Sequence, residues 1–194
     1  MLSVIERASL LSLETYARER NAFRARVIAH KKLRTVRLGE HVAVQFEDEL
    51  LVRYQVQEML RIERIYEAQG IQHELDTYNP MIPDGGNWKA TMFVEYTNPD
   101  ERREALARLK GVERTVWVQV EGCPRVYAIA DEDLERENEE KTSAVHFLRF
   151  ELDAASREAL RGGAAVSVGV DHPQYSATTR LEPAVRASLV EDLA

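Results

Sequence analysis

Cysteine is almost absent from this chain of 194 residues. Cys123 is the only one, which excludes an intrachain disulfide, a cysteine-ligated iron-sulfur cluster and a zinc ribbon. Any bound metal must therefore use histidine and carboxylate ligands. Cys123 itself lies in a Gly122-Cys123-Pro124 turn with no activating group in view, and is read as incidental. Long apolar runs are missing too, since none approaches the ~18 residues that a membrane span requires. The stretch Met1 to Arg20 is interrupted by Glu6, Arg7, Glu14 and Arg18, so it lacks the apolar region of a signal peptide. The expectation is a cytoplasmic protein with no membrane association. There is no internal repeat, no low-complexity tract, no G-x-S-x-G elbow, no HExxH and no GxxxxGK[ST] phosphate loop. Hydrolytic chemistry has no nucleophile with an evident base, so the sequence assigns no enzyme class.

What is present is a globular balance, 44% hydrophobic and 30% charged, with a net charge of -7. A chain of this length forms one domain over 1–194, with 1–33 as a helical segment packed on it, and buries about 70% of its unfolded surface. Charge is uneven along the sequence. Between Ala17 and Arg37 eight bases (Arg18, Arg20, Arg24, Arg26, Lys31, Lys32, Arg34 and Arg37) face one acid, Glu19, whereas Asp131 to Glu140 carries seven acids and one arginine. The bases are dispersed around a helix and the chain is acidic, so the segment is expected to engage protein, or an acidic surface of its own chain, and no nucleic acid.

Periodicity gives the element order. Residues 10 to 33 predict a long helix, 34–38 and 42–46 a hairpin around Gly39-Glu40-His41, and 54–68 a second helix ended by Gly70. Leu50 to Val52 extends the hairpin sheet, and His41 lies at the turn without a role. Asn79 to Gly86 is a loop, Trp88 to Tyr96 a strand, and Asn98-Pro99-Asp100 opens a further helix. Strands follow at 115–120 and 125–129, and the acidic run is a solvated helix or a loop. The pattern is α+β, a mostly antiparallel sheet flanked by helices, with a long N-terminal helix.

Two histidines interrupt apolar strand faces. Ala144, His146, Leu148, Phe150 and Leu152 share one face, and Ala164, Val166, Val168, Val170 and His172 share another. An antiparallel return through the short helix 154–161 pairs Leu152 with Val166 and brings His146 opposite His172, at the ~5 Å Cβ separation of directly facing residues. Glu63 falls within the apolar stripe of the second helix, where a buried carboxylate needs a cation, a metal or a proton. His146, His172 and Glu63, with Glu58 or Glu95 in reserve, form a ligand set suited to iron, zinc or manganese. Two satisfied core histidines and a buried pair of Glu63 with Arg20 or Arg24 explain the same residues without a metal.

The strings Tyr54 to Glu63, Tyr78 to Gly85, Lys89-Ala90-Thr91, Val94-Glu95-Tyr96, Lys141 to Phe150 and Asp171 to Tyr175 resemble those of a bacterial family catalogued as domain of unknown function 3501. The resemblance brings no established activity. It implies a genomic setting beside rubrerythrin-like and iron-sulfur oxidoreductase proteins, and hence a redox or oxidative-stress context. Two functions are expected to compete: a metal- or small-cofactor-binding protein in such a pathway, and a non-catalytic accessory module that docks onto an oxidoreductase partner.

Overall fold

The computed structural model describes residues 4–133, 136–138 and 140–194. Among these, nine strands form two antiparallel sheets. The first has the order β1 (Thr35–Leu38), β2 (Val42–Phe46), β3 (Asn87–Val94), β7 (Val145–Glu151), β6 (Ile129–Ala130). The second has the order β5 (Arg125–Tyr127), β4 (Val116–Val120), β8 (Val166–His172), β9 (Tyr175–Arg180). Strands β5 and β6 are one run of chain that passes between the sheets: Ala128 N donates to Val116 O and Asp131 N to Phe147 O, each at 2.8 Å. On the opposite side β9 meets β1 through Thr179 Oγ1 on Arg37 O (2.6 Å) and Tyr175 Oη on Leu38 O (2.5 Å).

The sheets thus wrap around a common core, and side chains are enough to fill a barrel of about eight strands. Val44, Phe46, Trp88, Met92, Val118, Phe150 and Val168 point inward and are fully buried. Each contributes about 1.5–3 kcal/mol of apolar burial. A filled interior leaves ligands to be met at the barrel ends or on its outer face. Helix α4 (Pro99–Arg108) plugs one end with Ala105 and Leu106, while α5 (Ala154–Arg161) and α6 (Pro183–Val190) cover the other with Leu160 and Leu189. Trp88 Nε1 donates to Leu189 O (2.8 Å), which fixes α6 to the core.

Helices α1 (Leu13–Lys31), α2 (Glu49–Ile62) and α3 (Ala68–Tyr78) make a second apolar cluster with Ile5, Val52, Val56, Leu60 and Leu75. Asp48 caps α2, its carboxylate accepting from Leu51 N at 2.9 Å. The cap starts the helix early, so 50–52 are helical and do not extend the hairpin sheet. Most of α1 is exposed; Tyr16 and Val27 are its buried residues. It is held to α2 by Glu58, which accepts from Tyr16 Oη (2.7 Å) and from both Arg20 Nε and Nη2 (2.7 and 2.8 Å). The Arg20 guanidinium, with Arg61 and Tyr16, holds the Glu58 carboxyl down to about 2.

The expected pairing of β7 with β8 does not form. Both edges of β7 are taken by β3 and β6, and both edges of β8 by β4 and β9. Helix α5 and the left-handed Gly163 carry the chain across the barrel end into the other sheet, where the sequence reading had it turn back along the same edge. The acidic run is irregular over its described residues; 134, 135 and 139 lie outside them.

Candidate functional site: a cleft at the hairpin end of the barrel

The β1-β2 turn is built to be held. Gly39 takes a left-handed conformation (φ 68°), and a Cβ there would sit 2.6 Å from the phenol oxygen of Tyr175. That phenol donates to Leu38 O and accepts from His41 N at 3.0 Å, so β9 clamps both sides of the turn. His41 is fixed in consequence. Its Nδ1 lies 3.1 Å from Glu95 O, where an N–H must donate to the carbonyl, and its ring stacks on Tyr96 with centroids 3.9 Å apart and planes 13° from parallel. Burial, with Tyr175 nearby, pushes the Tyr96 phenol above its ordinary range.

Beside this turn an open cleft of about 630 Å³ lies over the outer face of the first sheet. Its floor follows from strand register. Arg37 stands opposite Ala43, Ala43 opposite Phe93 and Phe93 opposite Val145, which sets one row of side chains across four strands. The row begins with a charge and continues apolar. Arg37 Nη2 pairs with Glu95 Oε2 at 2.8 Å, and both side chains are about half exposed. Arg102 of α4 stands on another wall and makes no side-chain hydrogen bond or ion pair with the described residues. Glu40 projects into solvent, 4.0 Å from His41 Nε2. An apolar floor beneath a few fixed polar groups is the composition of a binding site. With His41 Nδ1 donating to a carbonyl, Nε2 is left as the acceptor nitrogen of the ring.

The structure places the residues singled out from sequence on separate elements, each histidine with its own local hydrogen-bond partners. His146 is fully buried on β7, with Nδ1 2.6 Å from Asp131 Oδ2 and Nε2 near Thr142 Oγ1 (3.1 Å) and Ser143 O (3.0 Å). His172, on β8, accepts from Gln174 N at Nδ1 (3.2 Å) and so donates from Nε2 to Lys110 O (3.0 Å). Every ring nitrogen is thereby bonded to its own surroundings. Glu63 is exposed at the C-cap of α2, because the helix stops at Ile62 and Arg64 turns the chain left-handed (φ 55°). The buried acid of α2 is Glu58, which the helical wheel had set on the opposite side, and Arg20 is its partner. Among the described residues no group of three His, Cys, Asp or Glu side chains is placed to hold a metal ion. Of the reserves Glu95 lines the cleft, as the partner of Arg37. His41 and Tyr96 were missed; the available signal was the glycine turn, which delivers a histidine to the end of a sheet.

No curated protein matches the chain. It is 54% identical to a protein of unknown function from Burkholderia pseudomallei K96243 whose crystal structure covers 99% of this chain and 100% of its own, with a TM-score of 0.94. A family model described as "Protein of unknown function (DUF3501)" matches residues 4–193, and the chain belongs to that family.

Proposed function

We propose that the protein is a non-catalytic binding module that takes a small molecule in the cleft between the β1-β2 turn, β3 and the start of β7. The observation that carries this reading is pre-organisation: Tyr175 locks the turn, and His41, Tyr96 and the Arg37-Glu95 pair are held in place before any ligand arrives. A site that is already ordered spends little binding free energy on ordering itself. The cleft volume of about 630 Å³ also falls within the usual range for small-molecule sites.

Val145 is half-buried on the cleft floor, on the face of β7 that points away from the core, so a larger side chain there fills the cleft without entering the barrel. Val145→Trp is expected to abolish binding of small aromatic compounds, read as loss of ligand-induced thermal stabilisation, while the melting temperature of the free protein changes by no more than a few degrees. Unchanged stabilisation by the same compounds in the variant would contradict the reading.

A further inference from the structure

The geometry points to the ligand class, an inference that rests on the binding reading above: the cleft is matched to a zwitterion with an apolar body, such as an apolar α-amino acid. The Arg37-Glu95 ion pair is a preformed couple of opposite charges 2.8 Å apart, with the two side chains 60% and 47% exposed. An α-amino acid carries its carboxylate and ammonium on one carbon, and so presents the complementary couple at a comparable spacing. Laid against the pair in reverse order, its carboxylate meets the outward N–H groups of Arg37 and its ammonium meets Glu95, giving two charge-assisted hydrogen bonds without breaking the existing one. A ligand with a single charge satisfies one member of the pair and leaves the other to water.

Register supplies the rest of the match. From Arg37 the row runs over Ala43 to Phe93 and Val145, so a side chain projecting from the zwitterion's α-carbon lies along apolar surface. Ala43 is itself buried and outside the cleft lining, so the apolar contact falls to Phe93 and Val145. The stacked His41 and Tyr96 bound the cleft beyond the ion pair. Rim charges of both signs remain outside the pair, Arg102 and Glu40, so the cleft has no net preference for an anion or a cation.

The test is calorimetric titration of the full-length protein with three probes that share one benzyl group: L-phenylalanine, N-acetyl-L-phenylalanine (anion only) and L-phenylalaninamide (cation only). L-Phenylalanine is expected to bind about ten-fold or more tightly than either, the discrimination of one charged hydrogen bond. Glu95→Gln should weaken L-phenylalanine by about ten-fold and leave N-acetyl-L-phenylalanine within about two-fold. Both side chains are exposed, so the variant's melting curve should superpose on that of the parent. Equal or tighter binding of a singly charged probe overturns the zwitterion assignment and leaves the small-molecule reading standing. Binding of none of the three also overturns the assignment, and the Val145→Trp experiment then decides the broader reading by itself.

Discussion

Replacing Arg34 with alanine should destabilise the protein by about 3–5 kcal/mol, the usual consequence of removing one partner of a buried charge pair. Arg34 is 1% exposed and ties three parts of the chain together. Its Nε donates to Phe46 O (3.2 Å), Nη2 to Glu47 O (2.9 Å) and Nη1 to Ser188 O (2.9 Å). Asp192 receives both Nη1 (3.2 Å) and Nη2 (2.5 Å). In the alanine variant these carbonyls lose their donor and the Asp192 carboxylate loses its cation. Burial already pushes that carboxyl up to about 6 against the pull of Arg34, so without its cation it is protonated more readily still. Urea denaturation should show the loss, with a melting temperature on the order of 10 °C lower. A double variant, Arg34→Met with Asp192→Leu, should recover part of it, because no buried charge is then left unpaired. A loss below about 1 kcal/mol in the single variant would show that Arg34 does not staple α6 to the hairpin.

Gly169→Ala is the second large effect, at about 1–3 kcal/mol from overpacking. The indole of Trp117 lies flat on β8, and a Cβ at Gly169 would stand 2.5 Å from its Cε2 and closer still to Cζ2. The ring cannot move outward freely, because the guanidinium of Arg125 sits 4.0 Å over its face and is itself paired with Asp171 at 2.6 Å. Trp117 is 1% exposed, so displacement should red-shift the tryptophan emission while Trp88, inside the barrel, stays buried. Ser167→Ala, two residues earlier on the same strand face, serves as the control with little change. An unshifted spectrum and unchanged stability would mean that the strand does not need a glycine at this position.

Much of the element order was legible because it rests on local chemistry. The Gly39 turn between two alternating runs gave the hairpin, and Asn98-Pro99-Asp100 gave the start of α4. Asp48 is equally local, yet its capping role was lost under the apolar run 50–52, which fits a strand or a helix turn alike. The pairing of β7 and β8 was beyond sequence, since a connector of α5's length permits both an antiparallel return and a crossing to another sheet, and the apolar alternation matches in either case. Glu63 and Glu58 were exchanged for a related reason: the wheel was continued past Ile62, where the helix ends. The cleft was the least legible part. Arg37 and Val145 lie on β1 and β7, Glu95 directly follows β3, and they meet through the order β1-β2-β3-β7, which no short-range signal encodes.

The central claim is that this cleft is where the protein meets its ligand, and crystals soaked in a mixture of small aromatic and amino-acid fragments test it most directly. The account predicts fragment density between His41, Phe93, Glu95 and Val145, with the Arg37-Glu95 pair and the His41-Tyr96 stack unmoved. Fragments bound reproducibly elsewhere on the molecule, with the cleft empty, would contradict it.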